Sequence, residues 1–127
     1  MKKNAVGFIC YAPEIDSVLV GRKNPEAQSF LAGKWHLPGE TILPGESDIE
    51  AVVRGILEEA GIDVRVDGYL ARYETDSVIV KWYECTPLSL DIRTGSDLDQ
   101  VAWIERRRVL SCLDTVAIKV LPYEIKK

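Results

Sequence analysis

The sequence predicts a mixed α+β domain in which a curved β-sheet is covered by one central helix and one C-terminal helix. Three observations lead to this fold class. Several short runs are rich in apolar, β-favouring residues; one central segment has the apolar spacing of an amphipathic helix; and turn residues separate these segments. The 127 residues contain no repeat and no linker, so we expect a single domain over residues 1–127.

The first part of the chain consists of short predicted strands separated by loops. Apolar, β-favouring residues occupy three runs, at 5–11, 17–20 and 35–37. The turn-forming residues 13–16 are expected to join the first two runs into a hairpin. Polar residues with glycine or proline predict loops over 24–34 and 40–46.

The clearest element is a helix over Asp48–Ala60. Apolar residues recur on one predicted face, at Ile49, Val52, Val53, Ile56, Leu57 and Ala60. Ser47 is a favourable N-cap, and Glu50 three residues later completes a capping box. Gly61 stands where a helix needs a left-handed residue to end. Start signal, stop signal and spacing therefore all predict the same helix.

The second half predicts more strands and a final helix. Strand-like runs occur at 64–73, 77–84 and 100–104, and the first two are expected to pair. Residues 87–98 are expected to form a connection. The C-terminal segment 115–125 predicts a second helix, with Asp114 or Thr115 as its cap.

Composition excludes several classes of function. Twenty acidic and 16 basic residues give a net charge of −4, which argues against a nucleic-acid polymer as the partner. The scattered Cys10, Cys85 and Cys112, with His36 as the single histidine, do not form a zinc motif and indicate buried thiols in a reducing compartment. No apolar run approaches the ~20 residues that span a bilayer. We expect a cytoplasmic monomer or homodimer without a membrane partner.

The residues suited to catalysis lie in a loop and the helix that follows it. Glu58 and Glu59 are expected on the helix side opposite the apolar face, with Arg54 one turn before Glu58. Glu46 lies near the positive N-terminal end of the helix. Such crowded carboxylates need a compensating cation, either Arg54 or a hard divalent metal. Oxygen ligands without histidine favour Mg²⁺ or Mn²⁺ over zinc.

This segment resembles the signature box of the Nudix (MutT-like) hydrolases. That box runs Gly, five residues, Glu, seven residues, then Arg-Glu-aliphatic-any-Glu-Glu-any-Gly-aliphatic. The matching residues are Glu46, Arg54, Ile56, Glu58, Glu59, Gly61 and Ile62, and the preceding 35–39 resemble the usual approach to the box. The resemblance implies a Nudix-type α/β/α sandwich with a curved mixed sheet.

The resemblance also implies a reaction and roles for individual residues. The reaction is metal-dependent hydrolysis of the diphosphate linkage of a nucleoside diphosphate derivative. A nucleoside triphosphate pyrophosphohydrolase, which releases a monophosphate and pyrophosphate, is the favoured form. Glu58 and Glu59 would bind Mg²⁺ or Mn²⁺ together with the carbonyl of Gly39, and Glu46 and Arg54 would form an orienting salt bridge.

Substrate contacts are expected outside the box. Arg22, at the end of a strand, is a candidate for a phosphate contact, and Trp35 is a candidate for stacking on a base. In this family a further carboxylate often reaches the metal from a later loop or strand. The sequence offers four such acids, namely Asp97, Asp99, Glu84 and Glu105.

Two positions depart from the box. Glu40 stands in place of the opening Gly, and Gly55 in place of the Glu after the Arg. We hypothesise that Glu40 replaces part of the lost carboxylate at the metal; the alternative is a solvated loop acid. The general base stays open between Glu58, Glu40, a later acid and a metal-bound hydroxide. Gly55 also supports a rival interpretation, a catalytically impaired module that only binds a nucleotide or metal.

Overall fold

The computed structural model describes residues 2–26, 32–95 and 98–114. The strands are β1 (Lys3–Ala12), β2 (Ser17–Lys23), β3 (Trp35–His36), β4 (Gly39–Thr41), β5 (Val64–Glu74), β6 (Val78–Pro87) and β7 (Leu98–Glu105). The helices are α1 (Asp48–Ala60) and the short α2 (Val109–Cys112), with 3₁₀ turns at Pro13–Ile15 and Arg106–Arg108. The C-terminal helix predicted over 115–125 lies outside the described residues.

The sheet is built around β1, which contacts strands on both sides. The strand order is β3-β2-β1-β6-β5, with β4 paired to β1 and β7 paired to β2. β1 and β6 run parallel, whereas the other pairs are antiparallel. Both predicted hairpins, β1–β2 and β5–β6, are confirmed. The α+β class is confirmed as well, with a curved mixed sheet that has core residues on both faces.

Helix α1 begins and ends where the sequence predicts. The Ser47 hydroxyl accepts the backbone N–H of Glu50 at 3.1 Å, and the Glu50 carboxylate accepts the backbone N–H of Ser47 at 2.8 Å. Gly61 ends the helix in the left-handed region at φ 72°. Local capping chemistry therefore fixes both ends, independently of the packing around the helix.

The face that α1 buries differs from the predicted one. Ile49 and Leu57 are 54% and 49% exposed, whereas Glu59 is only 4% exposed. The residues that α1 buries are Ala51, Val52, Gly55, Ile56, Glu59 and Ala60. Small side chains at 51, 55 and 60 let the helix lie close to the sheet, and this proximity outweighs the exposure of two larger apolar residues. The expectation that Glu59 lies on the helix side opposite the apolar face is therefore wrong.

The predicted loop over 40–46 is also partly wrong, because it begins with a strand. β4 pairs with β1 through Val6↔Glu40 and Gly7↔Gly39. A Cβ atom on Gly39 would lie 2.8 Å from the carbonyl oxygen of Val6, so this approach requires glycine. A strand of three residues is too short to show alternation in a sequence. Its formation places Glu40 in the sheet, next to α1.

Apolar clusters occupy both faces of the sheet. On the α1 side, Phe8 packs with Ile56 and with Cys10 and Cys85, which are buried as predicted. The third cysteine, Cys112, is only half-buried, so the prediction of a buried thiol is wrong there. On the other face, Trp82 packs in the second cluster. The ring of Trp82 covers Gly7, where a Cβ would lie 2.4 Å from the indole. In the part of the chain that the structure describes, no helix is long and apolar enough to cross a membrane.

The contact between Gly7 and Trp82 can be tested by two alanine substitutions. Gly7→Ala should lower the free energy of unfolding by about 1–3 kcal/mol, because the new methyl group has to displace a buried indole. Gly68→Ala is the matched control, since a Cβ there meets nothing within 4 Å. We expect the control to be neutral or slightly stabilising. Urea unfolding of both variants measures the difference, and equal stabilities would contradict the packing described here.

Candidate active site

The guanidinium of Arg54 is the centre of a hydrogen-bonded cluster of carboxylates. Its Nε and Nη2 donate to the two carboxylate oxygens of Glu46, at 2.7 and 3.1 Å. Nη1 donates to Oε1 of Glu58 at 3.1 Å, and Nη2 also donates to the carbonyl of Thr41 at 2.8 Å. One cation thus joins α1, β4 and the loop between them, using the planar geometry that only arginine offers.

Glu46 is the most strongly held acid of this cluster. Its side chain is only 13% exposed, and it also accepts the backbone N–H of Leu43 at 2.9 Å. The hydrogen bond from Arg54, and then that from Leu43, lower the pKa of Glu46. The same bond raises the pKa of Arg54. Both groups are therefore charged at neutral pH, as the predicted orienting salt bridge requires.

Glu40 lies on the other side of Arg54. Its Oε2 is 3.8 Å from Nη1 of Arg54, and its Oε1 accepts the backbone N–H of Thr41 at 3.0 Å. Its methylene groups cover Gly55, where a Cβ would lie 2.9 Å from Cβ of Glu40. The two departures from the box are therefore direct neighbours in space.

Glu58 and Glu59 stand at the C-terminal end of α1 in different surroundings. The Glu58 side chain is 46% exposed, whereas Glu59 is buried. The connection between β6 and β7 covers this end of the helix, because Arg93 and Gly95 donate their backbone N–H groups to the carbonyls of Ala60 and Glu59, at 2.9 and 3.1 Å. These bonds satisfy carbonyls that a helix end otherwise leaves open.

Gly95 allows this close approach, and sequence reasoning did not find its role. A Cβ at Gly95 would lie 2.4 Å from the carbonyl oxygen of Glu58. The connection therefore rests directly on the turn of α1 that carries both glutamates. The signal in the sequence was a lone glycine in a polar run, which by itself indicates only a turn.

Two residues predicted for separate roles bind each other. Arg22 donates from Nε and Nη2 to both oxygens of Asp99, at 3.0 and 2.9 Å, and so links β2 to β7. This pair lowers the pKa of Asp99 and raises that of Arg22. Arg22, the residue predicted to contact phosphate, and Asp99, one of the acids predicted to reach the metal, therefore neutralise each other's charge. Trp35 is half-buried and pairs with Arg22 in the sheet register.

The other predicted acids lie elsewhere. Glu84 is exposed on β6, and Glu105 accepts a hydrogen bond from Arg107 at 2.7 Å. Asp97 lies outside the described residues. Among the described residues, Glu84 and Glu105 are therefore not grouped with the carboxylates on α1.

The N-terminal end of α1 is fastened by a second polar contact that sequence reasoning missed. Asp48 Oδ2 accepts the hydroxyl of Tyr83 and the ammonium of Lys81, both at 2.6 Å. Burial, together with the bond to Asp48, raises the pKa of Tyr83 to about 12. Tyr69 packs edge-on against the Tyr83 ring, with ring centroids 5.6 Å apart. The contact joins residues 35 positions apart in the chain, so local patterns do not reveal it.

The chemistry of the donors fits a hard divalent cation, because the exposed end of the cluster offers carboxylate oxygens and no sulfur or imidazole. Within residues 2–26, 32–95 and 98–114, no three His, Cys, Asp or Glu side chains are grouped as a metal site. Two of the acids in the cluster, Glu46 and Glu58, are hydrogen-bonded to Arg54.

Comparison with known proteins agrees with the fold. The model of the NUDIX domain matches residues 1–123. The chain therefore belongs to the Nudix family, and the resemblance seen in the sequence is confirmed.

Parts of the chain are similar in sequence to curated proteins. The chain is 29% identical over 113 residues to the 8-oxo-dGDP phosphatase NUDT18 of Homo sapiens, and the match covers 84% of this chain and 34% of that protein. It is 40% identical over 50 residues to the CTP pyrophosphohydrolase of Escherichia coli K12, covering 39% of this chain and 37% of that protein. The chain thus spans only about a third of the length of either relative.

Solved structures share the fold. A NUDIX hydrolase from Nitrosomonas europaea superposes with a TM-score of 0.74 at 25% identity, covering 84% of this chain and 58% of that one. A MutT protein from Methanosarcina mazei Go1 superposes with a TM-score of 0.72 at 21% identity, covering 98% and 88%. The Nudix-type sandwich predicted from the sequence is therefore confirmed.

The salt bridge between Glu46 and Arg54 predicts a pH dependence of stability. Because the pKa of Glu46 is lowered in the folded chain, its carboxylate stabilises the fold at neutral pH, and this contribution disappears as the pH falls through the folded pKa. Glu46→Gln should lower the melting temperature at pH 7, and the difference from wild type should shrink below a pH of about 4. Thermal unfolding between pH 3 and 7, run at roughly constant ionic strength, measures this. The control is Glu14→Gln, which removes an exposed acid from the β1–β2 turn. An effect of Glu46→Gln on the melting temperature that did not change with pH would contradict the salt bridge.

Gly95 gives a second test of the site. Gly95→Ala should force the β6–β7 connection away from α1 and weaken the bond from the backbone N–H of residue 95 to Glu59. We expect a loss of about 1–3 kcal/mol in the free energy of unfolding, together with faster amide exchange at residue 95. Hydrogen exchange measured by NMR gives both quantities, with Gly68→Ala as the control. Unchanged exchange at residue 95 would show that the contact is not formed.

Proposed function

We propose that this chain hydrolyses the diphosphate linkage of a nucleoside diphosphate derivative in the presence of Mg²⁺ or Mn²⁺. The favoured reaction converts a nucleoside triphosphate to a nucleoside monophosphate and pyrophosphate. The observation that carries the proposal is the cluster of carboxylates around Arg54, at the box positions of a family whose members generally use divalent metal ions.

The charge of the segment supports the need for a metal. Between Glu40 and Glu59 the sequence has six acidic residues and one basic residue. A di- or triphosphate is itself strongly anionic, so this surface repels it until a cation is bound. Arg54 alone does not reverse that charge, because its guanidinium is already shared between Glu46 and Glu58. A divalent ion adds the missing positive charge.

The proposed roles follow from the surroundings of each group. Glu58 and Glu59 would hold the ion, together with the carbonyl of Gly39. Once bound, the ion would neutralise the diphosphate and polarise the phosphorus–oxygen bond that breaks. Burial and the contact at Gly95 fix the turn that carries Glu59, and Arg54 fixes Glu58 through one oxygen. The protein thus orients its carboxylates before the substrate arrives.

Hydrolysis also needs an acceptor for the proton of the attacking water. The water oxygen forms a bond to phosphorus, the anhydride bond to the leaving phosphate breaks, and one proton must leave the water. Gly55 has no side chain for this task. The acceptor stays open between Glu58, Glu40 and a later acid, and the first two lie beside Arg54 in the carboxylate cluster.

The names of two relatives support a nucleotide as substrate, since one is an 8-oxo-dGDP phosphatase and the other a CTP pyrophosphohydrolase. Arg22 and Trp35 are the proposed contacts to phosphate and base. The second candidate function is a module that binds a nucleotide or metal without turnover. Gly55 favours it, because this helix position carries no carboxylate.

A substrate panel separates the two candidates. Nucleoside triphosphates, dinucleoside polyphosphates and nucleotide sugars would be incubated with the chain in Mg²⁺ or Mn²⁺, and products separated by chromatography. We expect turnover of at least one nucleotide, abolished by EDTA, and a fall of at least about 100-fold in kcat for Glu59→Gln. Glu14→Gln should retain wild-type turnover. Tight binding of a nucleotide without turnover of any substrate would contradict the proposal and favour the module.

A further inference from the structure

The space beside Gly55 is filled by other residues. An added Cβ at this position would lie 2.6 Å from Cζ of Phe8, and 2.9 and 3.3 Å from Cβ and Cγ of Glu40. Phe8 is fully buried, so its ring has little room to move. A carboxylate-bearing side chain at position 55 and the present side chain of Glu40 therefore exclude each other.

Glu40 approaches the helix on the face that carries Glu59. Gly55 and Glu59 are one turn apart, and both belong to the buried face of α1. Pairing of β4 with β1 fixes the backbone of Glu40, and the N–H of Thr41 holds one of its carboxylate oxygens. The other oxygen lies 3.8 Å from Arg54. The carboxylate is thus held at the cluster rather than extended into solvent.

From this packing we infer that β4 supplies the carboxylate that helix position 55 lacks, and that Glu40 binds the divalent cation together with Glu59. The inference rests on the proposed function, because it assigns a ligand to the same metal. It adds a steric constraint, namely that a side chain at position 55 cannot coexist with the present side chain of Glu40. The site then keeps this carboxylate, which β4 supplies instead of α1.

Metal affinity tests the inference without any assay of turnover. Electron paramagnetic resonance would follow the titration of free Mn²⁺ with wild type, Glu40→Gln and Glu14→Gln. Glu40→Gln keeps the methylene groups over Gly55 and removes only the charge. We expect it to bind Mn²⁺ roughly tenfold or more weakly than wild type, whereas Glu14→Gln should bind as wild type does. Equal affinities in the two variants would overturn the inference.

A double-mutant cycle tests the steric constraint. Gly55→Glu should strongly lower the melting temperature, because the new side chain meets Glu40 and Phe8. The double variant Glu40→Gly/Gly55→Glu should recover part of that loss and bind Mn²⁺ more tightly than Glu40→Gly alone. If Gly55→Glu lowered the melting temperature equally with and without Glu40, the mutual exclusion would be wrong.

The two proposals fail in different ways. If wild type bound no Mn²⁺, the proposed metal-dependent function would fail, and this inference with it. If wild type bound Mn²⁺ and Glu40→Gln bound it equally well, only the role of Glu40 would fail.

Discussion

The shared guanidinium of Arg54 is the interaction on which the rest of the site depends. It donates to Glu46, to Glu58 and to the carbonyl of Thr41, and so connects the helix, the strand β4 and the loop between them. Without this cation the neighbouring carboxylates would repel each other in a partly buried region. Arg54 therefore holds the acidic cluster together without a bound ion, as the proposed metal site requires.

Close backbone contacts, made possible by glycine, bring the other parts of the site into range. Gly39 lets β4 approach β1, Gly55 lets Glu40 lie against α1, and Gly95 lets the β6–β7 connection rest on the carbonyl of Glu58. At each of the three positions a methyl group would meet an atom less than 3 Å away. The glycine at 55, which looks like a loss when the box is read alone, thus has a packing role.

The sequence was sufficient where structure is decided locally and insufficient where distant residues decide it. The bounds of α1 followed from the Ser47 cap and Gly61, and both hairpins followed from runs of β-favouring residues separated by turns. The buried face of α1 did not, because close packing by small residues placed Glu59 inside and left Leu57 exposed. The Nudix box predicted the carboxylates on α1. The bond between Arg22 and Asp99 was not predicted, because it depends on the pairing of β2 with β7, and no local sequence pattern reveals that pairing.

The central claim is that carboxylates from α1 and β4, held in place by Arg54, form one site for a divalent cation. The most direct measurement is a crystal structure of the chain grown with Mn²⁺, with data collected near the manganese absorption edge. The account predicts an anomalous difference peak in contact with Glu59 and Glu40, with the bond between Arg54 and Glu46 retained. A manganese peak bound elsewhere, or a site at α1 that leaves Glu40 in contact only with solvent, would contradict it.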